Sequence, residues 1–586
     1  MGKKTKKNIQ KAIHPRQAST PVQKKERKRS LLPWLLALIV ITTVCFFPML
    51  KNGFTNWDDD FYVINNALLR GPDWAGIFSK PVVSNYHPIT IATLAINYSI
   101  SGTDAWSYLF LNLLLHLVNG VLVFIFIYRI SGQKTMVAFL TSLLFCIHPM
   151  HVESVAWVSE RKDLVYTLFF ILSLMQYWRY ISSGKKAGLW LSFLFFSLSL
   201  LSKPAAIILP LVLFLLDYWN KRTFNKKLLV EKIPFFIVAI LFTVITIKLQ
   251  SVTAMTSLDV YPLWVRLFFA CYVVMIYFFR FFVPYPLSSF HPFPAPDNLG
   301  LAVYLSPLFI IVLAFVLVYF RKNRLVIFGM GFFLINILLV LQLISIGYTI
   351  VSERYTYVPY IGLAFLLMML VEKYFRTKNK LAWPVAILVL ALFGMLSFER
   401  TKVWNNSDSL WSDVIEHYPN AALARGERAQ YIYNKAITMP PAEAEPIFHR
   451  VIEDCTVAIN SNKDSAKMEM KRGGSSMYNM RGTSFYYLKQ YENAMRDFNI
   501  AVTIDPYADQ IINFRGTIFF NYYKDYNKAM SDFSKAISLN PQGDYYLNRS
   551  RCYYLLGDIA KGKEDVQAAM KKGVNVSPDY RKLFNL

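Results

Sequence analysis

Residues 31–50 read LLPWLLALIVITTVCFFPML, which is twenty consecutive residues without a charge. About 20 apolar residues are needed to cross the hydrocarbon core of a bilayer as a helix. Of the 586 residues, 55% are hydrophobic and only 17% are charged, which is too apolar for an ordinary soluble protein. The sequence predicts a polytopic, all-α membrane domain over 31–398 with about eleven spans: 31–50, 108–130, 136–147, 164–181, 189–201, 205–218, 235–249, 303–320, 325–346, 355–371 and 381–398.

The formal charge of +26 is concentrated at the amino-terminal end. Residues 1–30 contain eleven Lys or Arg against one acid, Glu26. A basic tail directly before a span is typical of cytoplasmic retention and of contact with anionic membrane lipid. No aromatic-basic module accompanies it, so nucleic-acid binding is not expected. The first span lacks a small-residue cleavage site and is predicted to be a signal anchor with the N-terminus inside.

Lys and Arg counts in the connecting segments orient the remaining spans, because cytoplasmic loops carry the excess of these residues. The apolar segment 264–283 conflicts with this orientation if it crosses the membrane, because the basic connection 321–324 would then lie outside. Because Arg266 and Arg280 interrupt it, it is predicted to lie along the outer membrane surface. The basic connections, predicted inside, are 129–134, 179–186, 221–232, 321–324 and 373–380, and the loops predicted outside are 51–107, 148–163, 202–204, 250–262 and 347–354.

Residues 400–586 have a different character and contain an internal repeat. Arg481-Gly482 recurs 34 residues later as Arg515-Gly516, and again as Arg549-Ser550. The pattern resembles the tetratricopeptide repeat, in which small residues allow two antiparallel helices to approach closely. A degenerate unit over 421–460 and a half-repeat around 411–414 precede these units. The sequence predicts a C-terminal α-solenoid outside the membrane, whose concave face binds a protein or merely caps the membrane domain.

Three outer loops carry dense polar clusters, at 58–60, 148–163 and 352–359. Carboxylates near a membrane require solvent, a paired charge or a metal, so they are candidate functional residues. The carboxylates and imidazoles of 148–163 could hold a divalent ion, while its basic pair could hold a phosphate. The alternatives are a solvated helix cap at 58–60, the charged edge of a span at 160–163, and an aromatic belt with a local ion pair at 352–359.

Five motifs stand in an order that resembles the transmembrane and tetratricopeptide-repeat O-mannosyltransferases. They are NWDDD (56–60), YHP (86–88), NLLLHLVN (112–119), HPMHVESV (148–155) and SERYTY (352–357). The resemblance covers residues from about 31 to the end and excludes the tail. It implies a C-type glycosyltransferase (GT-C), which moves a sugar from a polyprenyl phosphate to an acceptor on the non-cytoplasmic face.

The resemblance also implies roles for individual residues. One difference is that this chain has ERKD at 160–163 where the family commonly has Gly-Arg-Ala-Asp, so its local charge differs. A divalent metal (Mg or Mn) is expected to be possible, and no organic cofactor is expected. The expected catalytic residues are Asp58 and Asp59, the metal ligands Asp59, Glu153 and Asp163, and the substrate-binding residues His87, Arg161, Lys162, Glu353 and Arg354.

The sequence thus favours a membrane glycosyltransferase that transfers mannose or another hexose from a lipid-linked donor to a protein or glycan hydroxyl. The expected location is the bacterial inner membrane, or the endoplasmic reticulum membrane in a eukaryote, with the repeats extracytoplasmic. The alternative is a non-catalytic, membrane-anchored repeat scaffold for protein–protein interaction. A transporter is disfavoured, because the carboxylates cluster in loops rather than near the bilayer midplane.

Overall fold

A computed structural model describes residues 30–251, 261–344, 347–375, 382–464 and 470–586. The predictions for the basic tail fall almost wholly outside these residues. The membrane part is helical: α1 (Leu32–Phe46), α2 (Trp74–Ser79), α3 (Pro88–Ser101), α4 (Ala105–Ile130), α5 (Thr135–Ile147), α6 (Val152–Ala156), α7 (Arg161–Ser183), α8 (Lys186–Ser202), α9 (Leu209–Trp219), α10 (Lys226–Val230), α11 (Ile233–Gln250), α12 (Leu263–Phe282), α13 (Leu301–Tyr319), α14 (Arg324–Ile337), α15 (Tyr360–Phe375) and α16 (Ala382–Val403).

The helical, polytopic class predicted from the sequence is confirmed. Within the described ranges, seven helices are long and apolar enough to cross a membrane, or eight if the bent pair of α5 and α6 forms one span. Three shorter apolar helices cover 186–202, 204–219 and 324–340. Each of the eleven predicted spans contains a helix, and the number that crosses a bilayer stays a prediction.

Helix α12 meets the same length and composition criteria, although its sequence predicts a course along the membrane surface. Just before it, the hydroxyl of Tyr261 donates to the carbonyl of Pro294 at 2.7 Å. Near its end, Arg280 donates to the His291 ring at 3.0 Å. A helix of 20 residues is about 30 Å long, yet its two ends contact the same short loop segment. Whether α12 crosses the membrane or lies along its outer surface therefore stays a prediction.

Helices α7 and α8 form an antiparallel hairpin. Gly184 ends α7 with φ of 72°, a left-handed conformation that Gly adopts without a Cβ clash. Close packing then requires Gly188, because a Cβ there would lie 2.8 Å from the carbonyl oxygen of Gln176. The hairpin brings the start of α7, at Arg161, to the same level as Lys203, which directly follows α8.

One element departs from an all-α description. Strands β1 (His291–Pro292) and β2 (Thr349–Val351) form a short antiparallel pair. They join the segment that follows α12 to the loop 347–354, which is predicted to lie outside. The pair fixes the segment that precedes Glu353 and Arg354, because β2 ends only two residues before Glu353.

The repeat part consists of paired antiparallel helices. The sequence of 461–476 interrupts the repeat pattern and predicts an irregular insert, but the residues of it that the structure describes, 461–464 and 470–476, are helical and belong to α19 and α20. The helices are α17 (Ser407–His417), α18 (Ala422–Ala436), α19 (Pro441–Asp464), α20 (Met470–Tyr487), α21 (Tyr491–Ile504), α22 (Asp509–Ile518), α23 (Tyr526–Leu539), α24 (Gly543–Leu555), α25 (Ile559–Lys571) and α26 (Pro578–Lys582).

An arginine–aspartate pair recurs inside the repeats. Arg481 donates two hydrogen bonds, both 2.8 Å long, to the two carboxylate oxygens of Asp497. Its remaining terminal nitrogen donates to the Thr456 hydroxyl in the preceding unit at 3.0 Å. Each pair therefore closes one repeat and ties it to its neighbour. The same two-pronged geometry joins Arg515 to Asp532, Arg549 to Asp565 and Arg428 to Asp454.

Candidate active site

Glu160 is the centre of a charged cluster at the start of α7. Its carboxylate is 1% exposed, and three cations surround it. The ammonium of Lys162 lies 3.1 Å from one of its oxygens, that of Lys203 lies 3.4 Å from the other, and the Arg354 Nε lies at 3.2 Å. One buried carboxylate is thus shared by three positive charges, which three separate segments contribute.

Each cation has a second carboxylate partner. Lys162 lies 3.5 Å from Asp58, while Lys203 contacts Asp163 and Arg354 contacts Glu153. The cation side chains remain 12–16% exposed, whereas the side chains of Glu160, Asp163 and Glu153 are at most 3% exposed. The Asp58 side chain is 26% exposed. The solvent-facing side of the cluster therefore consists of three cations and one carboxylate, Asp58.

Aromatic faces support the cations from the sides. Arg354 lies 5.5 Å from the Trp157 ring and 4.9 Å from the Tyr355 ring. Lys162 lies 4.7 Å from the Tyr62 ring. A cation over an aromatic face is attracted by the ring without using any of its hydrogen-bond donors. The rings therefore help to hold the cations in place without occupying their N–H donors.

The cations stay charged in this setting. Burial acts to lower the pKa of the Lys203 ammonium, but Asp163 and Glu160 outweigh it and hold the pKa above the usual value. For Arg354 the opposing effects are the same, and Glu153 keeps its pKa well above the usual range. These two charges are thus permanent at physiological pH, which suits the binding of a phosphate.

Asp58 and Asp59, both predicted to be catalytic, have different environments. Asp59 is buried and accepts hydrogen bonds from the backbone and the hydroxyl of both Thr55 and Ser159. Burial raises the pKa of Asp59 to about 6, against the effect of these hydrogen bonds. Asp59 therefore joins the segment 51–73 to the segment 148–160, while Asp58 lines the cluster.

Two predicted substrate-binding residues lie beside the cluster with different environments. His87 is buried, stacks on Tyr62 at 5.4 Å, and its Nε2 has no hydrogen-bond partner. Burial, with Lys162 and Lys203 nearby, lowers the pKa of His87 to about 3, so the ring is neutral.

The guanidinium of Arg161 instead donates to Asn112, Asn97 and the Tyr108 carbonyl, each at 2.9 Å. Arg161 is fully buried and braces α3 and α4.

The predicted metal ligands are not brought together. Asp59 binds Ser159 and Thr55, Glu153 binds Arg354, and Asp163 binds Lys203. No group of three or more His, Cys, Asp or Glu residues that could hold a metal occurs in the part of the chain that the structure describes. His148 and His151 bond to backbone carbonyls of Phe281 and Phe145 instead. This donor set does not fit a divalent cation.

Glu353 belongs to a second polar group, where the membrane part contacts the repeats. It accepts a hydrogen bond from the Ser288 amide at 2.6 Å and lies 3.7 Å from Arg400. Arg400 in turn binds Asp413 of α17 at 2.7 Å. Burial raises the pKa of Glu353 to about 7, and Arg400 opposes the rise. The position of Glu353 therefore favours a role in joining the two parts over a role in substrate binding.

The first-loop motif also contacts the repeats. Asn56 accepts a hydrogen bond from the indole of Trp411 at 2.8 Å and donates one to the Glu427 carbonyl at 2.8 Å. The Trp57 ring lies between Trp157, at 4.7 Å, and Trp411, at 5.0 Å. Residues 56 and 57 thus fasten the loop to the first helices of the repeat part, and Asp58 follows at the edge of the cluster.

Sequence reasoning missed two members of the cluster. Lys203 is an isolated lysine between two apolar blocks, in a loop that the charge count places outside, and this isolation is a usable signal. Glu160 falls inside a quoted motif, but its central position depends on three distant partners. The repeat Arg–Asp pairs were also missed, although both residues recur with a period close to 34.

Comparison with known proteins adds relatives for parts of the chain. Residues 475–507 match the model of a tetratricopeptide repeat. The chain is 30% identical over 158 residues to a protein O-mannosyl-transferase of Caenorhabditis elegans, F38B6.6, covering 24% of this chain and 22% of that protein. It is 31% identical over 186 residues to the human protein O-mannosyl-transferase TMTC4, covering 27% and 25%.

A solved structure, that of ArnT from Cupriavidus metallidurans bound to undecaprenyl phosphate, aligns with 81% of this chain and 89% of ArnT. Its TM-score is 0.40 and its sequence identity is 11%, values too low to inform on function. The matches to the O-mannosyl-transferases span only about a quarter of those proteins. The chain thus resembles the protein O-mannosyl-transferases in part of its sequence and carries tetratricopeptide repeats after its membrane part.

Proposed function

We propose that this chain is a membrane glycosyltransferase that moves mannose or another hexose from a polyprenyl phosphate to a hydroxyl group of a protein or glycan. The reaction would take place on the non-cytoplasmic face. The observation that carries the proposal is the cluster in which Lys162, Lys203 and Arg354 share the buried Glu160 next to the more exposed Asp58. The sequence relatives named O-mannosyl-transferases support the reaction class.

The three cations would bind the phosphate of the donor. Their side chains remain 12–16% exposed, and they have more N–H donors than the buried carboxylates occupy. Charge-assisted hydrogen bonds to a phosphate are about twice as strong as neutral ones. They become stronger as the leaving phosphate gains charge, which lowers the barrier to bond breaking.

Asp58 would act as the general base. The anomeric carbon–oxygen bond to the phosphate breaks, the acceptor oxygen bonds to that carbon, and the hydroxyl proton passes to Asp58. The lipid phosphate leaves with the bonding electron pair. Asp58 lies 3.5 Å from Lys162, so the base stands directly beside the phosphate-binding cations. No step in this scheme passes through a metal.

The repeats would present the acceptor. Asn56 and Trp57 join the first helices of the solenoid to the loop that carries Asp58, so an extended chain on the repeats would start next to the base. If so, deleting residues 477–586 should reduce transfer to a protein acceptor far more than donor binding. Equal loss of both activities in a truncated but folded protein would leave the repeats a structural role only.

The central test is transfer by the purified chain in lipid vesicles, with radiolabelled polyprenyl-phosphate mannose and other hexoses as donors. The expected result is transfer that Asp58→Asn abolishes without loss of folding. Glycopeptide mass spectrometry on cells with and without the chain would then identify sugar and acceptor. A wild-type protein that neither binds nor uses any of these donors would favour the scaffold alternative.

The reaction face can be tested separately. Single cysteines in place of Ser84, Ser412 and Ser534 should react with an impermeant reagent on intact cells or spheroplasts. Protection of the two repeat positions would contradict the proposed face and with it the reaction compartment.

A further inference from the structure

A groove with a volume of about 400 Å³ lies between α8, α10 and α11. Its wall is almost wholly apolar, and the Trp190 ring, 68% exposed, forms one side of its mouth. An apolar groove of this size accommodates part of a lipid acyl chain. The apolar lining consists of Leu189, Trp190, Phe193, Val230, Pro234 and Phe235.

The groove is far from the reaction cluster. Helix α7 starts at the cluster and has 23 residues, which makes it about 34 Å long. Its C-terminal end lies next to the start of α8, where Leu189 and Trp190 line the groove. The groove therefore belongs to the opposite end of the membrane helices and is not part of the donor site.

The rim of the groove is positively charged. Lys226 and Lys227 line it and are exposed. The single acid in the lining, Glu231, is neutralised by Arg222 at 3.0 Å. Exposed lysines at 185, 186 and 221 lie in the two connections that flank the groove. An anionic head group would thus meet several cations and no unpaired carboxylate among the described lining residues.

We infer that this groove binds an anionic phospholipid, with an acyl chain against Trp190 and Phe235 and the phosphate at Lys226 and Lys227. Membrane surroundings supply such a molecule, and basic pockets between membrane helices bind anionic head groups. Tryptophan at the end of a membrane helix is typical of the interface between acyl chains and head groups. This inference is independent of the proposed sugar transfer.

The test uses the fluorescence of Trp190 in the full-length protein reconstituted in vesicles. Brominated acyl chains quench a tryptophan that they contact, and subtracting the signal of Trp190→Phe isolates this position. Vesicles contain either brominated phosphatidylglycerol or brominated phosphatidylcholine in an unbrominated background. We expect anionic lipid to quench Trp190 at about ten- to thirtyfold lower mole fraction, because each lysine near the surface contributes about 1 kcal/mol.

A paired variant and a matched control decide the outcome. K226Q/K227Q, which changes two exposed side chains, should abolish the preference for phosphatidylglycerol. R321Q/K322Q removes the same charge from another basic connection and should preserve the preference. Equal quenching by both lipids in the wild type, an absence of quenching, or an equal loss in both double variants would each overturn the inference. Sugar transfer, measured in parallel, is expected to be unchanged in K226Q/K227Q.

Discussion

The repeat part and the reaction cluster use the same kinds of charged residue in different arrangements. In the repeats, the recurring pairs join one arginine to one aspartate through two hydrogen bonds, as in Arg481 and Asp497. In the cluster, Glu160 is shared by Lys162, Lys203 and Arg354, and each of these cations contacts a second acid. One arginine engages both carboxylate oxygens of Asp497, whereas in the cluster the Asp58 carboxylate, 26% exposed, faces solvent beside three partly exposed cations.

This difference separates scaffolding from a binding site. A two-pronged arginine–carboxylate pair satisfies both groups and fixes their geometry, so it stabilises a fold and offers little to a ligand. In the cluster each cation has two carboxylate partners at separate positions, and its partly exposed N–H donors outnumber these contacts, so a further anion can bind. The way in which charged residues are paired therefore indicates function better than their presence alone.

The largest expected effect distinguishes the two adjacent acids of the cluster. Asp58→Asn should lower the transfer rate by about 10²–10⁴-fold, because the general base is lost while its size is kept. Asp59→Asn should instead lower the thermal unfolding midpoint, since Thr55 and Ser159 lose a carboxylate acceptor. Rates per folded molecule and unfolding midpoints are measured for both variants. A near-wild-type rate in Asp58→Asn would remove this residue from the mechanism.

Loss of a two-pronged arginine–aspartate pair in the repeats should affect stability alone. Asp497→Ala leaves Arg481, whose side chain is 16% exposed, without its partner. The free energy of unfolding should fall by about 2–3 kcal/mol, toward the low end of the range for broken buried pairs. Asp579→Ala is the control, since the Asp579 side chain is 92% exposed and its pair with Lys582 should contribute little. Chemical denaturation measures the free energy of unfolding of both variants. Weakened donor binding in Asp497→Ala would contradict a role of this pair in stability alone.

Removal of a partly exposed cation from the cluster should weaken donor binding. Lys203→Gln removes one charged donor, and donor affinity should fall by about 10- to 100-fold, which corresponds to about 1.5–3 kcal/mol for one charged hydrogen bond. Lys561→Gln removes the same charge from an exposed pair in the repeats and should leave affinity unchanged. Binding of the polyprenyl-phosphate sugar in detergent measures the effect. Equal affinities in the two variants would contradict the phosphate site.

The smallest expected effect is a pH dependence at the contact between the two parts. Burial, with Asp60 nearby, raises the pKa of Glu427 from 4.5 to about 7. The folded state therefore binds the Glu427 proton more tightly than the unfolded state does. The free energy of unfolding falls as pH rises from about 4.5 to 7, because the unfolded state releases this proton first. Between pH 5 and pH 8, wild type should lose up to about 1 kcal/mol more stability than Glu427→Gln. Identical pH profiles of unfolding would contradict the assignment.

Sequence periodicity predicted much of the fold and only part of the site. Apolar blocks and the 34-residue period are local properties, so the helices and the repeats could be read directly. Three of the residues singled out from the loop motifs, Asp58, Lys162 and Arg354, meet in one cluster. The proposed phosphate role of Arg161 finds no support, because its guanidinium is bound by Asn112 of a distant segment. The proposed metal set of Asp59, Glu153 and Asp163 finds none either, because distant residues such as Ser159 and Arg354 bind these carboxylates instead.

By itself the sequence determined the membrane-spanning character, the repeats and the motifs of the outer loops, because hydrophobicity and period are properties of neighbouring residues. Only the tertiary structure decided which charges share a partner. Lys203 reaches Glu160 because the α7–α8 hairpin returns to its own start, and Arg354 arrives from a loop nearly two hundred residues away. Charge pairing depends on distances of a few ångströms between such segments, and no sequence spacing encodes them.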